Sequence, residues 1–222
     1  MRTKTYLLSF LLSCSLLNAH EDPSDVIDAL THQIEATKDK KKLAELYYRR
    51  FVERRAIGGN EGLRGNLSFR DLQKSISLDP QCYDSRLAMG KYIQGPLAES
   101  ELHNALKLAK TQIQKRDVHF AIAEYFYKRK KIGNASLSCD KALALDKEND
   151  LTIILFKSHL LWKLDEPFER IIFLAEAQKK NASVVLKNSL IDAMIHAGKG
   201  AEVKELITKE MKDSRFKSSW LI

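Results

Sequence analysis

The feature that most constrains this chain is a series of helical segments separated by short breaks. Beyond Glu21, apolar residues recur at three- and four-residue spacing, as in Leu43, Leu46 and Tyr47, which is the period of an amphipathic helix. Helices of about 12 to 15 residues joined by short links must pack antiparallel against their neighbours. The sequence therefore predicts a stack of helical hairpins. The predicted breaks fall at residues 58–65, 79–80, 95–96, 133–134, 146–150, 165–167, 181–182 and 198–200.

The composition fits a helical globular protein better than the other common classes. Nine glycines and four prolines among 222 residues are about half the usual share, which disfavours a loop-rich β-sandwich and a disordered chain. Charged residues at 30% and hydrophobic residues at 44% are typical of a soluble domain with a sizeable core. The three cysteines, Cys14, Cys82 and Cys139, exclude a disulfide-dense scaffold and lack the spacing of metal ligands.

A repeat of about 34 residues links the predicted hairpins. An apolar residue recurs once in each copy, and a small residue follows three positions later in the first three copies, at Ser75, Ala109 and Ala142. In the last two copies a glutamate stands at this place, so either the register slips by one residue or the packing differs. The recurring apolar residues are Leu72, Leu106, Cys139, Phe173 and Ile207.

The repeated segments resemble the tetratricopeptide repeat (TPR) family, whose unit is a pair of helices joined by a turn. The first copy carries AELYYRRFVERRAIGG from Ala44 and SFRDLQKSISLDP from Ser68, and the second keeps a small residue at Gly90. The last two copies match in period and helical pattern alone. The third copy matches at Ala123, Phe126, Ala135 and Ala142.

The resemblance implies an all-α fold, a right-handed solenoid of about five helix pairs preceded by a capping helix. The repeats would occupy residues 44–214, the N-terminal capping helix residues 20–43, and a C-terminal tail residues 215–222. Leu106 and Phe173 are expected to fill the space between helices, and Cys139 is expected to be a small buried hydrophobe at the same place.

The first nineteen residues have the layout of a secretory signal peptide. Arg2 and Lys4 precede an apolar stretch that is too short and too interrupted by serines to cross a bilayer, and the segment ends at Ala19. We therefore expect export, to the periplasm or beyond the cell, with cleavage after Ala19. Two alternatives are lipidation of Cys14, which follows Leu-Leu-Ser as in a bacterial lipobox, and an uncleaved segment.

No motif in the chain predicts catalysis. GxSxG, HExxH and phosphate-binding glycine loops are absent from the sequence, and residues 58–65, GGNEGLRG, form a turn insertion without GK[ST]. After cleavage, His20 would be the N-terminal residue and could chelate copper with a second histidine, but the other histidines are scattered. We therefore predict a protein that is not an enzyme and has no metal and no cofactor.

The charge pattern points to solvated helix faces. The formal net charge is +8, with basic runs at residues 38–55 and 128–131. Aromatic residues are not interleaved with these runs as stacking on bases would require, and an exported protein rarely meets nucleic acid. We predict no nucleic-acid partner, and contact with a membrane only if Cys14 is lipidated.

The TPR resemblance also implies a peptide-binding groove, lined by the first helix of each pair at its second, fifth, ninth and twelfth places. In the first three copies these places form a mixed surface with aromatic anchors. We expect a protein or peptide segment to bind there, held by aromatic contacts and oriented by charge. The predicted groove residues are Tyr48, Arg55, Asp84, Lys91, Phe120, Glu124 and Tyr127.

The corresponding places of the last two copies are more apolar. Two interpretations stay open: the tail, with Phe216 and Trp220, covers them, or the register is displaced and they are ordinary core. The residues at these places are Leu151, Ile154, Ser158, Leu161, Val185, Asn188, Asp192 and Ile195.

The sequence therefore predicts a non-catalytic, protein-binding scaffold of the cell envelope that acts through the concave face of a solenoid. The alternative is a lipid-tethered assembly or transport accessory protein, acylated at Cys14. The identity of the partner and the oligomeric state do not follow from the residues.

Overall fold

The computed structural model describes residues 23–57 and 63–205, and it gives side-chain positions for residues 24–57 and 67–205. Every regular element within these ranges is an α-helix, which confirms the all-α prediction, and residues 200–205 begin a further helical segment. The helices are α1 (Pro23–Ala36), α2 (Lys40–Ala56), α3 (Leu63–Leu78), α4 (Tyr83–Tyr92), α5 (Pro96–Leu108), α6 (Gln112–Lys128), α7 (Ile132–Leu145), α8 (Leu151–Lys163), α9 (Pro167–Lys180) and α10 (Val184–His196).

The helices follow one another as hairpins within two compact units, residues 1–85 and 86–222, whose boundary falls inside α4. In the first unit α1 packs on α2, and α2 packs on α3. In the second unit α6 packs on α7, α7 on α8, α8 on α9 and α9 on α10. With α4 beside α5 and residues 200–205 after α10, the order is one preceding helix and five successive pairs.

The first helices of the last three pairs end in the same hydrogen-bonded turn. Lys130, Asp165 and Gly198 each take a positive φ, of 58°, 58° and 76°. In each turn the next N–H bonds a carbonyl five residues back, for example Lys131 N to Phe126 O at 3.0 Å, which satisfies the free carbonyls at the helix end. The break predicted at residues 133–134 is therefore wrong, because the chain reverses at Lys130 and Gly133 already lies in the first turn of α7.

The buried residues of the second helices show where the predicted repeat register is wrong. In each pair up to α8 and α9, a larger residue and a small residue three positions later are both buried. Leu106 and Phe173 are only half-buried, so the predicted register is wrong in the second and fourth copies and right in the first and third. Ile207 lies outside the described residues. The buried pairs are Leu72 with Ser75, Leu102 with Ala105, Cys139 with Ala142, and Leu174 with Ala177.

The short helix α4 is the physical reason for the displaced register in the second copy. In the third pair the small buried residues Ala123 and Ala135, one on each helix, are twelve positions apart, but in the second pair the small buried residues Gly90 and Ala98 are only eight apart. One helical turn is thus missing from the hairpin. Gly90 is needed there because a Cβ atom on it would lie 2.6 Å from Cγ of Leu102.

The first unit is held together by polar groups as well as by apolar packing. Asp71, which is 3% exposed, accepts two hydrogen bonds from Arg50, at 2.7 and 3.0 Å, and one from Arg54. Arg50 also donates to Thr31 of α1 at 2.9 Å. A carboxylate removed from water needs such charge-assisted partners, so these contacts fix α1, α2 and α3 in one arrangement.

The cysteines that the structure describes are both thiols, one half-buried at Cys82 and one buried at Cys139. Burial raises the pKa of Cys139 to about 12, as expected for a thiol that packs as a small hydrophobe. Within residues 23–57 and 63–205, no helix has the length and apolar character needed to span a membrane.

Candidate functional site

Three of the predicted groove residues belong to the first unit. Arg55 and Asp84 are exposed, and Tyr48 is half-buried with its ring centroid 6.1 Å from that of Phe51. Burial, followed by the negative charges of Asp84 and Cys82, raises the pKa of the Tyr48 hydroxyl. The Tyr48 hydroxyl therefore lies within reach of the charge of Asp84.

Lys91 and Glu124 meet at a cavity of about 340 Å³ in the second unit, which we call the first cavity. Its wall comes from the end of α4, the following link and one side of α6. The guanidinium of Arg129 lies 5.6 Å from the ring centre of Tyr125, so the ring supports a cation at the rim. The lining residues include Gly90, Lys91, Tyr92, Ala121, Glu124, Tyr125, Lys128 and Arg129.

An aromatic cluster joins α6 to α8 and contains the other two predicted groove residues. Phe120 packs edge-on against Phe156 at 5.4 Å, and Tyr127 packs against the same ring at 5.5 Å. The Tyr127 hydroxyl lies 2.7 Å from Nε2 of His159. Burial, together with the charges of Lys163 and Arg170, lowers the pKa of His159, which favours a neutral ring whose Nε2 accepts a hydrogen bond from the Tyr127 hydroxyl.

A second cavity, of about 280 Å³, lies between α8, α9 and α10. Arg170 donates from Nε to Ser158 at 3.1 Å and from Nη2 to Asp192 at 2.9 Å. His196 Nδ1 lies 3.2 Å from the same carboxylate. The charged groups Arg170 and Asp192 are thus bonded to each other, whereas Trp162 on the aromatic wall is 47% exposed. The lining residues are Leu155, Ser158, His159, Trp162, Arg170, Ser189, Asp192 and His196.

The structure decides between the two interpretations of the fourth copy. Ile154 and Leu161 are buried, at 4% and 6% exposure, so these two are ordinary core and the groove predicted there is wrong. Ser158 is buried at 3% exposure but lines the second cavity, and the other α8 residues of that cavity, Leu155, His159 and Trp162, each stand one position after a predicted place. In the fifth copy Val185 and Ile195 are about half exposed. Residues 215–222 lie outside the described residues.

Sequence reasoning missed His159, Trp162 and Arg170. The first two are hidden by the one-residue displacement of the fourth copy. The sequence carried one signal of this displacement. Glu176 stands where the first three copies have a small residue, and Ala177, one position later, is the small residue that is buried. Arg170 lies on a second helix, and a rule restricted to first helices does not find it.

The proposed modification and copper residues, Cys14 and His20, fall outside the described residues. Within the part of the chain that the structure describes, no group of three histidine, cysteine, aspartate or glutamate side chains is placed to hold a metal ion.

Solved structures show the fold of this chain. The MamA protein matches with a TM-score of 0.60 at 15% identity, over 81% of this chain and 96% of that chain. YrrB, described as a TPR protein with an unusual peptide-binding site, matches with a TM-score of 0.58 at 14% identity, over 85% and 94%. The Cut9-Hcn1 hetero-tetramer matches with a TM-score of 0.62 at 16% identity over 78% of this chain, which spans about a third (33%) of that chain.

The fold is thus all-α and of the TPR type, as the resemblance implied. No protein-family model matches the sequence, and the search of curated proteins finds no relative.

Proposed function

We propose that this chain is a protein-binding scaffold that takes up a peptide segment on the surface formed by the end of α4 and by α6, α8 and α10, which we call the groove face. The observation that carries the proposal is the aromatic cluster between α6 and α8, which is bordered by the two cavities. Aromatic side chains beside small cavities are the usual anchors of peptide binding.

The chemistry of the cavities favours recognition over catalysis. In the second cavity the Asp192 carboxylate accepts a hydrogen bond from Arg170, Nδ1 of His196 lies 2.8 Å from the main-chain carbonyl of Asp192, and the hydroxyl of Ser189 donates to the carbonyl of Val185 at 2.9 Å. A nucleophile needs a base positioned on its proton, and this serine instead bonds its own helix. The peptide-binding site named for YrrB supports the same kind of ligand for this fold.

Site-specific photocrosslinking tests the proposal. Trp162, which is 47% exposed at the second cavity, is replaced by benzoylphenylalanine in the full chain, and cells that produce the protein are irradiated. Leu137 on α7, which is 66% exposed and lines neither cavity, is the matched control position. A discrete crosslinked protein from position 162 alone is the expected result. Equal crosslinking from both positions, or none from position 162, contradicts the proposal.

Export is part of the proposed function. Arg2 and Lys4 before a short apolar stretch that ends at Ala19 support a location outside the cytoplasm, and the alternative is a lipid anchor on Cys14. Mass analysis of the mature protein distinguishes them, since cleavage after Ala19 leaves His20 as the first residue and lipidation leaves an acylated Cys14. A full-length chain beginning at Met1 contradicts both.

A further inference from the structure

The two cavities occupy equivalent places in the repeat. Ala121, Glu124 and Lys128 of α6 line the first cavity. Each of them is 68 residues, or two repeats, before a residue of α10 that lines the second cavity. Those residues are Ser189, Asp192 and His196. The same surface of a first helix therefore forms a cavity twice, against α4 and against α8.

The place between the two cavities is filled. Phe156, His159 and Lys163 of α8 stand 35 residues after the three α6 positions. Phe156 contacts both Phe120 and Tyr127, and His159 bonds the hydroxyl of Tyr127. A bound segment that follows this face would thus cross a cavity, the aromatic cluster and a second cavity.

The two cavities differ in charge. The first is lined by Lys91, Lys128 and Arg129 against the single carboxylate of Glu124, and Lys91, Lys128 and Arg129 are all exposed at its rim. This arrangement leaves an excess of two positive charges. Such an excess attracts anionic groups and repels cationic ones.

The second cavity is balanced in charge and aromatic. Asp192 offsets Arg170, and the neutral rings of His159 and Trp162 lie 5.4 Å apart. Lys163 covers the Trp162 ring at 4.2 Å, yet 47% of Trp162 is still exposed. A space of about 280 Å³ beside a tryptophan suits one aromatic side chain, which stacks there and displaces water.

We infer that the groove face reads a bipartite peptide, with acidic residues over the first cavity and an aromatic side chain in the second. The inference rests on the proposed function and names the chemistry of its partner. The first cavity selects a peptide residue by its charge, and the second selects one by the burial of its apolar surface. Specific binding of a peptide therefore requires both cavities.

Selection from a phage-displayed library of random dodecamers tests the inference with the full chain as bait. Sequences that combine aspartate or glutamate with an aromatic residue at a fixed separation should be enriched. The charge-reversal variant Lys91→Glu/Lys128→Glu should lose the acidic preference and bind a synthetic peptide of the selected sequence about tenfold or more weakly. Trp162→Ala should lose the aromatic preference and keep the acidic one.

Two matched controls remove effects of net charge and of aromatic content. Lys107→Glu/Lys115→Glu changes the charge equally at exposed lysines that line neither cavity, and Phe168→Ala removes an aromatic residue that is 58% exposed on α9. Both should select the same peptides as the unaltered chain.

The outcomes separate the inference from the proposed function. Enriched peptides without acidic and aromatic residues, or an acidic preference that survives the reversal at Lys91 and Lys128, overturn the inference and leave the scaffold standing. A library in which no sequence is enriched overturns both.

Discussion

The third and fourth repeats fill equivalent inner positions with different side chains, apolar in the third and polar in the fourth. In the third, Ile122, Ala123 and Ala135 fill three facing places with apolar side chains, all buried. In the fourth the same places hold Lys157, Ser158 and Arg170. Lys157 is 8% exposed and donates to Ser136 at 2.7 Å and to Asp140. A repeat of this kind therefore tolerates polar groups at its inner places if each of them has a hydrogen-bonding partner.

The difference has a functional consequence. An arginine in place of a small residue carries its guanidinium from the second helix to the groove face, where Arg170 meets Asp192. In the third repeat the equivalent residue is Ala135, so no charged side chain extends from this position to the groove face. The chemistry of the second cavity thus depends on Arg170, which departs from the small residue of the TPR pattern. In the proposed function this residue helps to set what the groove face selects.

The largest expected effect comes from moving the fourth repeat's arginine into the third. Ala135→Arg should cost more than about 3 kcal/mol of unfolding free energy, because the site is fully buried and holds neither the serine nor the aspartate that Arg170 uses. Chemical denaturation measures the cost. Adding Ala123→Ser and His159→Asp supplies both acceptors and should recover part of the loss. No recovery would contradict the equivalence of the two repeats.

The next largest expected change in unfolding free energy tests the register of the fourth repeat. Leu174→Ala should cost about 2 to 5 kcal/mol, since Leu174 is fully buried among Ile154, Ala177 and Leu186 and its loss leaves a cavity. Phe173→Ala, one position earlier and half-buried, should cost distinctly less despite the larger side chain removed. Urea midpoints compare the two, and the reverse order would restore the uniform 34-residue register.

Gly90 and Gly133 form a matched pair of glycines with opposite expected responses. Gly90→Ala places a Cβ atom 2.6 Å from Cγ of the buried Leu102 and should cost about 1 to 3 kcal/mol. Gly133→Ala meets nothing within 4 Å and should be neutral or stabilising by up to about 1 kcal/mol. Thermal denaturation of both variants is the measurement, and equal shifts would refute the close approach of α4 and α5.

The sequence predicted the helices because they depend on local spacing. The resemblance to the TPR family pointed to Phe120 and Tyr127, which stand three positions before and four positions after Ala123, and the structure places both in the aromatic cluster. Leu106 was misplaced because a hairpin shortened by one turn keeps the same apolar face, and the periodicity therefore hid the error. Trp162 and the cavities were missed because they depend on contacts between repeats and on Arg170, where the family pattern fails.

The smallest expected effect is the contribution of His159, in the fourth repeat, to the pH dependence of stability. The pKa of His159 is lowered in the folded chain, chiefly by burial, so the unfolded chain binds this proton more readily. The resulting stability is present above about pH 6.5 and is lost as the pH falls toward the folded pKa. His159→Gln should reduce this loss. His119, also lowered by burial, contributes a slope of the same sign, so the loss should shrink without vanishing.

Urea denaturation at pH 7.5 and at pH 5.0 compares the unaltered chain with His159→Gln. A smaller stability difference between the two pH values in the variant is the expected result. Identical differences would show that the histidine does not report on the contact between α6 and α8.

The emission of Trp162 tests most directly whether a partner lies on the groove face. The chain has two tryptophans, so Trp220→Phe leaves Trp162 as the sole reporter at the second cavity. Titration with a fluorescein-labelled peptide of the selected sequence should quench or blue-shift this emission, with the same midpoint as the anisotropy of the peptide. Saturating anisotropy with unchanged Trp162 emission would place the peptide elsewhere and contradict the account.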